Sequence, residues 1–338
     1  MPELIRVLVI DDSAYVRKVV SQMLSRSPFV EVVGVARDGA EGLELVKELR
    51  PDVVTCDLNM PILDGVSFVQ RQMALEPVPI VIISIAAESG EQVLAALDAG
   101  AMDFVQKPTA LATEKLAEIA DELVEKVKAA AASPRRVPMT VSSRAADSSD
   151  EVRAPTAAGT YDVVVIGVST GGPQGLKSVI PQFPADLRVP VALVMHMPLG
   201  YTEMYAQKLD AQSSVHVVEA HDADEVKPGT VYLAPAGRHL LFRRQDRKVC
   251  TRLDLRPLDA PHRPSVDVLF QSAAEVYGSR VLGVVMTGMG SDGREGAAWI
   301  KAQGGCILTE AEETCVVYGM PRSVVDAGLS DERVPLDR

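Results

Sequence analysis

The first 130 residues alternate short apolar runs with segments of amphipathic, helical spacing. Five apolar runs are predicted to be strands, and they cover residues 7–10, 30–36, 53–57, 80–84 and 103–106. The segments between them, and a last one ending near residue 130, place apolar residues at helical spacing. Strands that alternate with helices predict a doubly wound parallel sheet, whose functional residues lie at the carboxyl ends of the strands.

Residues 161–338 repeat this alternation and predict a second α/β domain. The predicted strands cover 163–167, 189–196, 215–219, 230–233, 281–287 and 306–309, and the predicted helices cover 173–180, 202–209, 266–277 and 293–302. Residues 238–253 differ, because apolar residues flank a charged turn there. That pattern predicts a small antiparallel hairpin at the margin of the second sheet.

The stretch from 131 to 160 separates the two domains. It is rich in serine, proline and alanine and contains no aromatic residue, and such a composition cannot bury enough surface to order itself. We therefore predict a flexible linker over 131–160, between a domain at 1–130 and a domain at 161–338.

Composition and charge limit the possible functions. The chain has 338 residues, 47% of them hydrophobic and 24% charged, which excludes disorder over its whole length. A net charge of −12 repels phosphate backbones, so nucleic acid is not expected as a partner. The apolar runs are too short for a secretory signal or a membrane span, which predicts a cytoplasmic protein without membrane insertion. Four cysteines without Cys-x-x-Cys spacing suggest neither a zinc site nor a disulfide framework.

Acidic residues follow the predicted strands of the first domain. Asp11 and Asp12 follow the first strand, and Asp57 ends the third. Carboxylates that converge in this way repel one another unless a hard cation such as Mg²⁺ lies among them. Ser84 and Lys107, at the ends of the fourth and fifth strands, can contact a phosphate. We interpret the cluster as a metal-assisted phosphate site with Asp57 as the phosphoryl acceptor; the alternative is a set of unrelated surface acids in an acidic domain.

In these positions the first domain resembles the receiver domains of two-component response regulators. The resemblance extends over 5–127 and includes the sequence around Asp57 (CDLNMP), Asp64-Gly65 and Lys107-Pro108. It implies a flavodoxin-like fold and phosphorylation of Asp57 by a histidine kinase. It also implies that Asp11, Asp12, Asp57 and the Asn59 backbone hold Mg²⁺, that Ser84 and Lys107 sense the phosphate, and that Phe104 is the switch aromatic. Ile85, Ala86 and Ala87 depart from the more polar residues of the family.

The second domain contains a candidate nucleophile. Gly167, Ser169 and Gly171 have Gly-x-Ser-x-Gly spacing on a predicted strand-to-helix turn, where a serine is exposed and backbone N–H groups can stabilise an oxyanion. The alternative is a dinucleotide-binding turn, although Ser169 stands where the second glycine of that motif belongs.

A nucleophilic serine needs a base and an acid that orients the base. His196 and Asp292 each follow a predicted strand, as Ser169 does. Taken singly, His196 could be a core histidine and Asp292 a helix N-cap. Their shared placement instead favours a Ser169–His196–Asp292 triad.

The order serine, histidine, aspartate excludes an α/β-hydrolase, and the domain instead resembles the catalytic domain of CheB protein-glutamate methylesterases. The resemblance extends over residues 161–328 and rests on five motifs: STGGP from Ser169, HMP from His196, APAG with His239, RPSVD from Arg263, and TGMGSDG ending at Gly293. With the receiver in front, nearly the whole chain matches a chemotaxis response regulator.

This resemblance implies a Rossmann-like esterase that hydrolyses glutamate γ-methyl esters of chemoreceptors and can deamidate receptor glutamines. Backbone N–H groups near Thr170 and Met289 are the candidate oxyanion donors, and no cofactor is expected for the ester chemistry. Chemoreceptors and a chemotaxis histidine kinase are the implied partners. Two alternatives stay open, a catalytically silent receptor adaptor and a dinucleotide-dependent oxidoreductase. We expect His239 to be structural and His262 to lie in a loop.

Overall fold

The computed structural model describes residues 4–84, 90–107, 113–133 and 161–338. In the N-terminal domain, strands and helices alternate as β1 (Ile5–Ile10), α1 (Ala14–Leu24), β2 (Val30–Ala36), α2 (Gly39–Leu49), β3 (Val53–Cys56), α3 (Gly65–Leu75), β4 (Ile80–Ser84), α4 (Gly90–Asp98), β5 (Asp103–Gln106) and α5 (Thr113–Ala132). The strands are all parallel, in the order β2-β1-β3-β4-β5. This is the doubly wound, flavodoxin-like order, and it confirms the predicted fold class.

The central strands are apolar because helices cover both faces of the sheet. Every residue of β3 and β4 is buried, as the middle strands of a parallel sheet require. Ser13, Asp38 and Asp64 then cap the helices α1, α2 and α3 by accepting hydrogen bonds from backbone N–H groups of the first turns. These three capping residues lie at the carboxyl edge of the sheet.

The C-terminal domain is a larger parallel sheet. Its elements are β6 (Val163–Val168), α6 (Gly172–Val179), β7 (Val191–Met195), α7 (Thr202–Asp210), β8 (His216–Glu219), β9 (Thr230–Leu233), β10 (His239–Gln245), β11 (Lys248–Asp254), α8 (Val266–Tyr277), β12 (Val281–Val285), α9 (Arg294–Ala302), β13 (Cys306–Glu310), α10 (Met320–Asp326) and β14 (Glu332–Val334). Seven of these strands pair in the order β14-β13-β12-β6-β7-β9-β8.

The strand order of this sheet reverses beside β6. After β6 the chain adds β7, β8 and β9 on one side, and it returns to the other side for β12, β13 and β14. A reversal of this kind opens a crevice at the carboxyl ends of the two strands that flank it. The loops after β6 and β12, which contain Ser169 and Asp292, therefore meet at one place.

The antiparallel hairpin is formed by β10 and β11, but it is a separate two-stranded sheet rather than a margin of the large one. Leu240 and Phe242 of its inner face are buried in the core beside α8. The backbone N–H of Phe242 donates to Ser272 Oγ of α8 at 2.7 Å. The hairpin is therefore anchored to a helix, and its other face stays available to solvent.

The two domains contact each other through α4 and the loop between α4 and β5 on one side and α6 and α7 on the other. Asp98 at the end of α4 forms ion pairs with Lys177, at 2.9 Å, and with Lys208. Gln174 Nε2 donates to the carbonyl of Ala101 at 2.9 Å. We call this set of contacts the interdomain contact.

Most predicted strands and helices are confirmed to within two residues, and three features differ. The elements α10 and β14 were not predicted, because they are too short for their apolar residues to show the spacing of a helix or a strand. Trp299 lies in the helix after Asp292, where its apolar ring predicts packing on the sheet, but the residue is 45% exposed. The predicted linker, apart from residues 131–133, lies outside the described residues, as do Ile85, Ala86, Ala87 and Pro108. Within the described part of the chain, no helix has the length and apolar character needed to cross a membrane.

Candidate active site

Ser169 lies on a tight turn between β6 and α6. Its backbone N–H donates to the carbonyl of Thr287 at 3.0 Å, which ties the end of β6 to the loop after β12. Gly171 follows in the left-handed conformation, with φ of 81°, and α6 begins at the next residue. Glycine adopts this conformation without the strain that a side chain would introduce. The turn thus presents the serine hydroxyl at the carboxyl edge of the sheet.

Gly288 leaves space for the serine on the neighbouring loop. A Cβ atom at this position would lie 2.8 Å from Cβ of Ser169 and 2.3 Å from Sδ of Met320. Both distances are far below ordinary contact, so a side chain here would displace the nucleophile. Close packing of the two loops therefore explains the first glycine of the TGMGSDG motif.

His196 lies between Ser169 and Asp292, as the triad hypothesis requires. Its Nδ1 is 3.2 Å from Ser169 Oγ, and its Nε2 is 2.8 Å from Oδ2 of Asp292. The serine, the imidazole and the carboxylate come from the loops after β6, β7 and β12, three adjacent strands. The structure thus brings the three predicted residues together in one hydrogen-bonded chain.

Further donors surround Asp292. Ser265 Oγ donates to its Oδ1 at 2.9 Å, and the backbone N–H groups of Val266 and Asp267 donate at 2.8 and 2.9 Å. Burial alone would raise the pKa of Asp292, but the hydrogen bond and charge of His196 together with these backbone donors hold the pKa below its ordinary value. Asp292 is accordingly ionised at neutral pH.

Asp267 holds the loop that carries Asp292. Its Oδ1 accepts the backbone N–H groups of Gly293 and Gly296 at 2.9 and 2.7 Å. Burial, together with the nearby charge of Asp292, raises the pKa of Asp267. Two carboxylates in one buried site therefore have different ionisation tendencies, and Asp292 is the one that keeps its charge.

The charge of Asp292 determines the imidazole tautomer. An ionised carboxylate only accepts, so His196 Nε2 carries a proton and donates to it. Nδ1 is then left with a lone pair that points at the serine hydroxyl, and it can accept the hydroxyl proton. This arrangement is chemically able to activate Ser169 as a nucleophile.

Thr170 and Met289 lie in the loops beside Ser169. Within the described residues, neither backbone N–H group has a hydrogen-bond acceptor. Thr170 is buried, and its carbonyl accepts from Thr287 Oγ1 at 3.0 Å, which fixes the backbone that bears one of these groups. Two donors are therefore available next to the nucleophile.

Sequence reasoning missed the role of His262. Its ring stacks on His196, with ring centroids 4.1 Å apart and an angle of 23° between the planes. Loss of solvent around the ring and the adjacent imidazole lower the pKa of His262 to about 4, so it is neutral at physiological pH. The sequence offered only one signal, the nearness of His262 to the RPSVD motif, because a stacking contact between distant loops has no local pattern.

His239 is structural, as expected. It is fully buried, and its Nδ1 accepts the backbone N–H of Ser265 at 3.2 Å. Its other ring nitrogen lies 3.3 Å from the carbonyl of Pro257. Burial lowers the pKa of His239 and favours its neutral form. The residue therefore supports the loop whose Ser265 contacts the triad aspartate.

A second polar site lies at the carboxyl edge of the N-terminal sheet. Oxygen atoms of Asp11, Asp12 and Asp57 lie within 4.8 Å of one another. Lys107 Nζ is 2.7 Å from Asp11 and 2.8 Å from Asp57, and all three of these side chains are buried. Burial raises the pKa of Asp57, against the opposing effect of Lys107. The donor set of three close carboxylates suits a hard divalent cation.

Gly65 allows the loop after β3 to close beneath this site. A Cβ atom at Gly65 would lie 2.1 Å from the carbonyl oxygen of Asp57, and its N–H donates to Leu58 at 2.9 Å. The Asp64-Gly65 motif is thus required by a backbone contact to the residue expected to be phosphorylated.

The remaining predicted residues of this domain lie near the same edge. Ser84 is buried at the end of β4, and the backbone N–H of Lys107 donates to its carbonyl at 2.7 Å. Asn59 is an exposed residue of the loop after β3. Phe104 is buried and contacts Tyr201 of the C-terminal domain, with ring centroids 4.9 Å apart. The expected switch aromatic therefore belongs to the interdomain contact.

Comparisons with known proteins identify the family of each domain. The sequence model of the protein family described as CheB methylesterase matches residues 164–338. The family model described as response regulator receiver domain matches residues 7–121. Curated proteins named protein-glutamate methylesterase/protein-glutamine glutaminase are similar over nearly the whole chain. The one from Myxococcus xanthus is 50% identical, with 98% of this chain and 95% of the relative covered. The one from Geobacillus kaustophilus is 44% identical, with 98% and 96% covered.

A solved structure supports the likeness of the C-terminal domain. The catalytic domain of the Thermotoga maritima CheB methylesterase is 45% identical, with a TM-score of 0.51. The match covers 52% of this chain and 94% of that domain.

Proposed function

Since the chain belongs to the CheB methylesterase family and carries a response regulator receiver domain, we propose that it is a serine esterase under the control of phosphorylation at Asp57. Its reaction is the hydrolysis of glutamate γ-methyl esters on chemoreceptors to glutamate and methanol. The observation that carries the proposal is the hydrogen-bonded chain from Ser169 through His196 to ionised Asp292. The relatives' names add glutamine deamidation. We place the reaction in the cytoplasm, on the receptor parts found there.

Acylation begins at Ser169. Its Oγ attacks the ester carbonyl while His196 Nδ1 takes the hydroxyl proton, and the Nε2–H bond to Asp292 stabilises the imidazolium that forms. The same proton then passes to the departing methoxy oxygen, so methanol leaves and the glutamyl group stays on Oγ. His262 is neutral beside this cation, so it adds no repulsive charge.

Deacylation uses the same groups in reverse. Water gives a proton to Nδ1 and attacks the acyl carbon, and the proton returns to Ser169 Oγ as glutamate departs. A glutamine side chain would follow the same route with ammonia as the leaving group. Nothing in this route requires a cofactor in the esterase domain.

We assign the oxyanion donors to the backbone N–H groups of Thr170 and Met289. Both flank the nucleophile, and within the described residues both lack another acceptor. Removing one donor of this kind typically costs about 2.7–4 kcal/mol of transition-state stabilisation.

The receiver site suits Mg²⁺, with Asp11, Asp12, Asp57 and the Asn59 carbonyl as the proposed ligands. When bound, the cation neutralises charge on an incoming phosphoryl group. Asp57 accepts the phosphoryl group from a histidine kinase or a small phosphodonor. Lys107, now paired with Asp57, is placed to bind a phosphate oxygen, and Ser84 to donate to another.

Phosphorylation acts on the esterase through the interdomain contact. The helix α6 begins three residues after Ser169, and Tyr201 follows His196 by five residues. The receiver therefore touches segments next to two triad residues, which supports a docked state that restricts receptor access. A docking preference of about 1–3 kcal/mol would change activity roughly 5–150-fold.

The test is methanol release from methylated receptor by the wild-type protein and by Ser169→Ala. We expect the variant to lose at least about a thousandfold in kcat, because removal of a triad nucleophile leaves only binding and the oxyanion donors. Thermal unfolding must show that the variant is folded. Wild-type turnover by Ser169→Ala would contradict the proposal, and no release by the phosphorylated wild type would favour a silent adaptor.

A further inference from the structure

A groove of about 510 Å³ lies on the outer face of the hairpin and is lined by four arginines. Its charged walls consist of Arg238, Arg243, Arg252 and Arg256, with Asp222 and Asp254 between them. The arginines are exposed. The ester chemistry uses none of these residues.

Basic charge is concentrated in this part of the chain. Residues 238–256 contain seven lysines and arginines and two aspartates, a net charge of +5. The whole of 161–338 contains 18 basic and 22 acidic residues, a net charge of −4, and residues 1–130 contain 12 and 21, a net charge of −9. A positive groove on an otherwise acidic protein favours an anionic partner.

The hairpin register places two of these arginines on its outer face. Leu240 and Phe242 face the core, and alternate residues of a strand point to opposite faces, so Arg243 points away from it. Arg252 pairs with Leu241 across the hairpin and shares that outer face. The hairpin therefore directs guanidinium groups into the groove.

The arginines differ in how much of their charge is already neutralised. Arg252 and Arg256 lie 2.6 and 3.6 Å from oxygens of Asp254. Arg238 and Arg243 have no acidic partner among the residues that the structure describes. These two guanidinium groups are available for carboxylates, which they can bind through paired hydrogen bonds.

Backbone contacts place the groove beside the triad. The N–H of Gly237, next to Arg238, donates to the carbonyl of Arg263 at 3.0 Å, and Arg263 follows the histidine that stacks on His196. The N–H of Ala236 donates to Thr202 Oγ1 at 3.3 Å, in the segment after His196. The loop that bears Arg238 therefore contacts both segments that frame the catalytic imidazole.

Exposed leucines accompany the arginines. Leu255 and Leu258 line the groove and are 49% and 69% exposed. Leu199, 67% exposed, lies within 2.7 Å of where a Cβ of Gly237 would be. Apolar side chains interspersed with unpaired guanidinium groups suit a protein segment with both carboxylates and apolar residues, and suit a free anion less well.

We infer that this groove binds an acidic segment of the methylated substrate protein and so helps to select it. The inference rests on the proposed function, in which the substrate is a protein that carries glutamate methyl esters. Each turnover converts one neutral ester of that substrate into a carboxylate. Glutamates near the modified position would pair with Arg238 and Arg243 while the ester reaches Ser169. The groove is then a substrate-specificity surface outside the catalytic machinery.

The test compares two substrates of the full-length, phosphodonor-treated protein. The double variant Arg238→Glu, Arg243→Glu is measured for methanol release from methylated receptor and for hydrolysis of p-nitrophenyl acetate, a small neutral ester. The matched control is Arg188→Glu, an exposed charge reversal before β7, at the opposite edge of the sheet from the triad. Thermal unfolding checks that both variants are folded.

We expect the double variant to lose about tenfold in kcat/KM on receptor, mainly through a higher KM. The reason is that two solvent-exposed ion pairs between arginine and substrate carboxylate are replaced by repulsion between carboxylates. Its rate on the small ester and both rates of Arg188→Glu stay at the wild-type level. The loss shrinks at about 0.5 M salt, where the Debye length falls to roughly 4 Å.

Three results would overturn the inference. One is an unchanged KM for receptor in the folded double variant, and another is an equal loss in Arg188→Glu. The third is an equal loss on the small ester, which would assign the arginines to the catalytic site or to contacts with the acidic receiver domain. Failure of the proposed function looks different, because the wild type itself would then release no methanol.

Discussion

Replacing Asp98 by alanine tests whether the interdomain contact holds the esterase in a less active state. Asp98 is the receiver residue that pairs with Lys177 of α6 and Lys208 of α7. Burial alone would raise the pKa of Asp98, but hydrogen bonds from the two lysines hold it below the ordinary value. The two ion pairs therefore stabilise the docked state at pH values above the usual pKa of an aspartate. This stabilisation is lost as the pH falls through the lowered pKa of Asp98. An assay near pH 7 measures its full value.

The partial exposure of the three side chains determines how much the two ion pairs stabilise the docked state. The side chain of Asp98 is 34% exposed, and those of Lys177 and Lys208 are 45% and 29% exposed. Solvent screening limits each pair to about 0.5 kcal/mol, or about 1 kcal/mol in total. Since 1.4 kcal/mol is a factor of ten, the undocked fraction, and with it the basal rate of methanol release, would rise about fivefold.

The assay is methanol release from methylated receptor without phosphodonor. With phosphodonor, the difference between Asp98→Ala and the wild type narrows, because phosphorylation already undocks the wild type. The matched control is Asp121→Ala, whose side chain pairs weakly with Arg26 inside the receiver, at 3.8 Å. A basal rate in folded Asp98→Ala that is unchanged or lower, or an equal rise in the control, would refute the reasoning.

Three further substitutions have defined outcomes. Ser265→Ala removes one donor to Asp292, and we expect kcat to fall about 10–150-fold, from about 1.5–3 kcal/mol for a hydrogen bond to a charged group, with KM unchanged in steady-state assays; a changed KM alone would argue against a positioning role. Gly65→Ala forces a Cβ against the carbonyl of Asp57, so phosphorylation by a small phosphodonor, followed by radiolabel, should slow at least tenfold while small-ester turnover persists; normal phosphorylation would contradict the contact. His262→Ala removes the ring stacked on the catalytic imidazole, and we expect a 2–10-fold lower kcat, from about 0.5–1.5 kcal/mol of ring contact. Because the pKa of His262 is lowered to about 4, its own titration should add no limb to the pH–rate profile between pH 5 and 8; a limb that is present in the wild type and absent from the variant would contradict this.

Both sheets could be predicted from the sequence because most of their strands contain short runs of apolar residues. The strands β2, β4 and β9 match their predicted limits. In β4 and most of β9, burial on both faces leaves little choice of residue. The candidate triad could be proposed for a related reason. Parallel strands bring their carboxyl ends together, so residues far apart in sequence are expected at one edge.

Contacts between loops could not be predicted in the same way. Ser265 and His262 reach the triad from a segment that has no strand or helix period, and only the folded chain places them near Asp292 and His196. The packing of Phe104 against Tyr201 is similarly invisible, because each residue looks like an ordinary core aromatic of its own domain.

The central claim is that phosphorylation at Asp57 controls ester hydrolysis at Ser169. The most direct measurement is the rate of methanol release from methylated receptor with and without a small phosphodonor and Mg²⁺, for the wild type and for Asp57→Asn. We predict that the phosphodonor raises the rate of the wild type only, by roughly 5–150-fold. A rate that rises equally in both proteins, or in neither while the wild type is phosphorylated, would contradict the account.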